Sequence, residues 1–259
     1  MTADNTFFEW VYYIWQHYWP LFLVGARNTI IIALSGTIIG FFIGILIGII
    51  RTIPIDHKTH PLLRTLYSVV NFILLSYIEV FRGTPMMCQA MVIFYGAAMV
   101  YGIHLDPIPA GIFIVSINTG AYMAEIVRGG ILAVDKGQFE AAHSIGMTHT
   151  QTMAFIVLPQ ALRSILPATS NEFVINIKDT SVLSVISVTE LFFNSNSVAG
   201  INYRYFEVFL ITCIIYFIMT FTVTRLLRYL EVKLEGPSVY IIHGSQTVPE
   251  AQIRIVGKE

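Results

Sequence analysis

The sequence predicts an all-α integral membrane protein that crosses the bilayer five times, and three observations predict it. The 259 residues are 55% hydrophobic and only 12% charged, whereas soluble domains carry roughly 25% charged residues. Mean hydropathy is +0.69. Uncharged runs near the length of a span, about 20 residues, recur along the chain, and Lys and Arg gather on alternate connections between them. A formal net charge of −1 offers no basic surface for nucleic acid.

The chain opens with MTADNTFFEW, which is acidic and lacks the basic start of a cleavable signal peptide. Phe7 to Trp19 is too short to cross and is crowded with Trp and Tyr, residues that favour the headgroup level. Residues 1–19 are therefore expected to form an interfacial helix just before the first span, which is entered from Pro20. Thr29 to Ile50 is the clearest span, and Thr84 to Gly102 the second. Ile108 to Ala124 is the third, running on to Glu125 and Arg128, and Val208 to Thr224 is the last. Between them Ser164 to Leu191 reads as a helix that carries Glu172, Lys178, Asp179 and Glu190. Residues 20–232 thus form the membrane domain, and 233–259 a tail with no legible role.

Leu66 to Tyr77 is apolar but short. As a separate crossing it gives six spans; as a lead-in to a span starting near Thr84 it gives five. Counting basic residues favours five. One side then collects Arg51, Lys58, Arg64 and Arg82, later Arg128, Lys136 and Arg163, and finally Arg225, Arg228 and Lys233, while the other holds little beyond Arg27 and Arg204. This asymmetry places the N-terminus outside and the C-terminus in the cytoplasm.

Within the first span Gly36, Gly40, Gly44 and Gly48 recur at every fourth position, a smooth strip that admits a close helix, either in the same subunit or in a dimer partner. Cys88 and Cys213 lie in apolar runs and suit buried reduced thiols.

The longest connection on the basic side, about 135–160, has a readable shape. Lys136-Gly137 leads into a short helix that Gly146 ends in a left-handed cap. Thr148 opens a second helix with Gln151 completing a capping box, and that helix runs until Pro159 bends it toward the fourth span.

This stretch contains Glu140, Ala141, Ala142, Gly146, Ile156, Leu158 and Pro159 in the order Glu-Ala-Ala, three residues, Gly, nine residues, Ile-x-Leu-Pro. It resembles the signature of permease subunits of bacterial ABC importers. YIEVFRGTP (Tyr77 to Pro85), AYMAEIVRGGI (Ala121 to Ile131) and KDTSVLSVI (Lys178 to Ile186) are similar to the polar amino acid branch of that family, and the likeness covers roughly residues 20 to 232. The resemblance implies a MetI-like bundle of five transmembrane helices with a cytoplasmic coupling helix between spans three and four. It implies that this helix docks into a cleft of a separate ATPase, two ATPase subunits driving two permease subunits, identical or homologous. It further implies an extracytoplasmic substrate-binding protein, an amino acid cargo, and a place in the bacterial cytoplasmic membrane. No cofactor is expected in this chain; ATP and Mg would be held by the partner ATPase.

A charge at bilayer depth costs about 2.5–3.5 kcal/mol, so those of the fourth span are expected to face a polar cavity or one another. Glu172, Asn176 and Asp179 fall on one helical stripe, which continues through Leu183 and Ser187 to Glu190. The expectation is that this stripe lines the translocation path, with Asp179 near the substrate ammonium group and Thr180 and Ser181 adding hydroxyls. Lys178 points elsewhere; it either lines the path or joins a buried network that holds subunits together. Gln89 and Asn118 are candidates for the same cavity. The acidic bias favours a glutamine-like or cationic amino acid over an acidic one. Glu79 with Arg82, and Glu125 with Arg128, read as i,i+3 ion pairs at span ends.

The chain has no G-x-x-x-x-G-K-[ST] phosphate loop, and His57 and His60 lack the companions of a metal site. No nucleophile–base arrangement suggests an enzyme. A stand-alone secondary transporter or channel remains the alternative; such proteins usually carry internal repeats, which this sequence does not display.

Overall fold

The structure, a computed structural model, describes residues 6–54, 60–235, 240–243 and 252–255. Among these, α1 (Phe7–Ile50), α2 (Pro61–Gly83), α3 (Met86–Tyr101), α4 (Pro107–Leu132), α5 (Lys136–Ser144), α6 (His149–Thr152) and α7 (Leu158–Asp179) follow in order, then α8 (Leu191–Asn202) and α9 (Tyr205–Glu235). A π turn, Met153–Val157, joins α6 to α7, and a 3₁₀ segment, Thr180–Ile186, follows α7. In the tail, β1 (Tyr240–His243) pairs antiparallel with β2 (Gln252–Ile255). His57 lies outside the described residues. His60 caps α2, its Nδ1 accepting from the Leu62 N–H at 3.3 Å.

Four helices, α1, α2, α4 and α9, are long and apolar enough to cross a membrane; the run from His149 to Ile186 together with α8, bent by 55° between them, makes a fifth. The five-span expectation is met, but two of its parts are redrawn. The segment read as short is the 23-residue α2, and the supposed full span from Thr84 is the 16-residue α3. They climb α4 in series. Ile78 of α2 packs near Ala124, toward the C-terminal half of α4, whereas Ala90 of α3 packs with Ile114 and Val115 in its N-terminal half. Pro85, which lacks an N–H, marks the break between them.

The N-terminal segment forms a helix continuous with the first span. Pro20 stands inside α1 without ending it, so the expected entry at Pro20 is no boundary. Phe7 meets Phe206 at 5.7 Å. Thr29 accepts from the Leu191 N–H, beside Glu190, to which the Tyr216 hydroxyl donates. Ile14 and Phe22 of α1 pack in one cluster with Val208 and Ile211 of α9.

The glycine strip packs inside the subunit. A Cβ on Gly36, Gly40, Gly44 or Gly48 would lie 2.4, 2.8, 2.2 or 2.7 Å from Val115, Thr119, Met123 or Val127 of α4. Both series advance four residues at a time in the same direction, so α1 and α4 run parallel at near backbone contact, and no dimer interface is needed to account for these glycines. Cys88 and Cys213 are exposed on the outer faces of their helices rather than buried, because an apolar side chain on a membrane helix gains as much from lipid as from a core.

Candidate functional site

Two regions carry the sequence candidates: the α5–α6 connection and a polar layer at mid-height of α4.

Asp135 caps α5, its carboxylate accepting from the Gly137 N–H at 2.7 Å. This cap was missed in the sequence, although Asp one residue before a helix is its usual signal. At the other end the Met147 N–H donates to Ala142 O at 3.1 Å and the Gly146 N–H to His143 O at 3.0 Å. These two bonds make a Schellman motif, and Gly146 has the left-handed φ of +82° that the motif requires. Thr148 and Gln151 form the expected capping box at α6.

The connection therefore holds a fixed shape. Ala142 is buried and Phe139 packs on the cluster of Val127, Ile131, Met153, Val157, Ala161 and Ile165. Glu140, Ala141, His143, Ser144, Ile145 and Gly146 face outward. Ile156, Leu158 and Pro159 lie elsewhere, on the joint to α7. That joint corrects an expectation: the helix does not bend away at Pro159. The π turn carries it through, the Leu158 N–H bonding back to Met153 O. Widening the turn accommodates the donor that Pro159 lacks.

A further group fastens this end of the bundle. Glu125 accepts from Arg128 at 2.9 Å and also from Arg51 at the end of α1. The i,i+3 pair was expected, but Arg51 was not, because 74 residues separate it from Glu125. The expected pair of Glu79 and Arg82 does not form; the Arg82 guanidinium lies over the Tyr122 ring, 5.5 Å from its centroid.

In the polar layer the expected stripe breaks. The α-helix ends at Asp179, the next seven residues are 3₁₀, and Ser187 adopts φ +62°. Glu190 consequently leaves the stripe. It caps α8, accepting from the Phe192 and Phe193 N–H groups at 2.9 and 2.7 Å and from Tyr216. Asn176 is buried and donates to Thr37 at 2.8 Å and Thr119 at 3.0 Å, tying α7 to α1 and α4. Glu172 is buried, and Thr180 is buried with its hydroxyl on Ile177 O. Lys178 and Asp179 are exposed on the surface of this chain, and Ser181 is half-buried.

Gln89 and Asn118 bond to each other at 2.9 Å. Gln89 also donates to Phe81 O and Thr84 O, each at 2.9 Å. These two amides satisfy the carbonyls freed where α2 gives way to α3, as a broken helix in a membrane requires. Among the described residues no cluster of His, Cys, Asp and Glu could hold a metal ion.

This geometry has counterparts among known proteins. The model of the family described as binding-protein-dependent transport system inner membrane component matches residues 64–236. The glutamine transport system permease protein GlnP of Escherichia coli K12 is 35% identical over 225 residues, covering 85% of this chain and 97% of that protein. The L-cystine transport system permease protein TcyB of Bacillus subtilis 168 is 36% identical over 221 residues, covering 85% and 89%. A crystal structure of an amino acid ABC transporter with histidines matches with TM-score 0.75 and 37% identity, over 90% of this chain and all of that one. The capped α5–α6 connection, the five traverses of MetI-like type and the matched sequence agree: the chain belongs to the family of binding-protein-dependent transport system inner membrane components, which are transport subunits rather than enzymes.

Proposed function

We propose that the chain is the permease subunit of an ABC importer that moves a polar amino acid, glutamine-like or cationic in preference to acidic, across the bacterial cytoplasmic membrane. The relatives named for glutamine and cystine transport support a polar amino acid cargo. In this reading the chain works beside a second permease, identical or homologous. Two ATPase subunits hold the ATP and Mg, and an extracytoplasmic binding protein delivers the substrate. The N-terminus lies outside and the tail in the cytoplasm, as the basic residues near Arg51, Lys136 and Arg228 favour.

The observation that carries the reading is the two-sidedness of α5. Ala142 and Phe139 seat it on the bundle, leaving Glu140, Ala141, His143 and Ser144 free for a partner. A rigid helix seated by one face transmits a push; a loose loop does not. Asp179 and Lys178 remain the candidates for the substrate path, because ionisable groups exposed on a membrane traverse call for a polar neighbour.

Gly146→Leu tests the coupling. No atom lies within 4 Å of a Cβ placed there, so the change acts through the backbone, at about 1–2 kcal/mol for a left-handed non-glycine residue. The expected outcome is a complex that assembles but whose ATPase activity no longer rises with loaded binding protein. Uptake and stimulation equal to wild type would remove α5 from the coupling role.

A further inference from the structure

The first half of α1 has three faces. Trp10 and Ile14 are buried, Ile14 against α8 and α9. Phe8, Tyr12, Trp15 and Trp19, spaced four, three and four, share a second face and are all exposed. Glu9 and Gln16, seven apart, lie on a third face beside it and are exposed too. A helix deep in hydrocarbon has no use for the polar face, and one in water has no use for the aromatic one.

The aromatic face also continues a surface that meets lipid. On α9, Phe206, Leu210, Ile214, Phe217 and Phe221 form one exposed stripe along a membrane traverse. Phe206, at its start, touches Phe7, whose ring in turn lies 5.3 Å from that of Phe8.

We propose that this half of α1 is a lipid-binding collar: its Phe8–Trp19 face lies in the headgroup–acyl boundary of the leaflet at which α1 begins. The occupant of that face is the bilayer, not a protein partner. Residues 64–236, matched to the family, do not include it. Burial there is shallow, about 5–10 Å below the headgroups. The collar is locked to the bundle from behind by Arg204, whose guanidinium lies 4.4 Å from the Trp10 ring centroid and which also pairs with Glu207.

All three tryptophans of the chain lie in this segment, which makes the test direct. The full chain, with its co-purifying subunits, is placed in nanodiscs of phosphatidylcholine brominated either near the headgroup or near the acyl-chain end. Emission of Trp15→Phe and of Trp19→Phe subtracted from wild type isolates each ring, whatever the other subunits emit. Headgroup-proximal bromine should quench both rings about twofold more than chain-end bromine. Aqueous iodide should quench them weakly. Trp15 is 44% and Trp19 46% exposed, so neither substitution disturbs a packed core. Strong iodide quenching with no bromine effect would assign the face to water and a protein partner, and stronger chain-end quenching would place it in the hydrocarbon core; either overturns the proposal.

Discussion

Asp179 and Asn176 are three residues apart on α7 and differ in what surrounds them. Asn176 is enclosed and its amide is spent on Thr37 and Thr119; Asp179 is exposed at the helix end. Asp179→Asn, which keeps the shape and removes the charge, should lower uptake at least about tenfold, or about 1.4 kcal/mol, at unchanged subunit level in the membrane. Transport kinetics equal to wild type would take Asp179 out of the path. Asn176→Leu should instead act on stability, because it strands the buried Thr119 hydroxyl, at about 1–3 kcal/mol, while the Thr37 hydroxyl keeps its bond to Ala33 O. Glu190 belongs with Asn176. Glu190→Ala removes the cap of α8 and should cost about 1–2 kcal/mol, read as a lower thermal midpoint in detergent. The sequence could not separate these three acidic and amide positions, since helical spacing places them together only while the helix lasts. The change to 3₁₀ at Thr180 is fixed by contacts from other helices and leaves no local signal.

At the scale of elements, capping chemistry was legible and register was half legible. The Thr148 box and the Gly146 cap follow from residues within four positions of each other, so the sequence contains the whole interaction. The glycine strip announced a close approach but not its partner; the answer, α4, lies some eighty residues on. Gly44→Leu tests that contact. A Cβ there would sit 2.2 Å from the Met123 Cβ, and overpacking of this kind costs about 1–3 kcal/mol. The variant should show a lower melting temperature; a midpoint equal to wild type would mean that the two helices do not meet there. The α2–α3 break was legible in its punctuation, Gly83 and Pro85, but the weight of each half was misjudged. Hydropathy sums composition and does not register that Gln89 and Asn118 hold the broken ends.

For the molecule as a whole, the number of traverses was legible because the bilayer imposes it: each must be apolar and close its own backbone hydrogen bonds. Long-range ionic contacts were not. Arg51, Glu125 and Arg128 join the last turn of α1 to the end of α4 directly above the α5 connection. Glu125→Gln should leave two guanidinium groups facing each other. The expected cost is about 1–3 kcal/mol, below that of a fully buried pair because the cluster is partly exposed. Thermal denaturation should register it, as should weaker stimulation of the partner ATPase. An unchanged midpoint and unchanged stimulation would show the cluster to be dispensable.

The meshing of α1 with α4 has one consequence for motion. Gly36, Gly40, Gly44 and Gly48 sit on Val115, Thr119, Met123 and Val127 like the teeth of two racks cut to one pitch. A slip of one tooth is four residues, about 6 Å along the axis, and any smaller slip sets side chain on backbone. Such a pair cannot glide by small degrees. Whatever displacement α5 receives must carry α1 and α4 together as a single beam, and any flexing must occur at the softer joints, the break at Pro85 and the wide turn before Pro159.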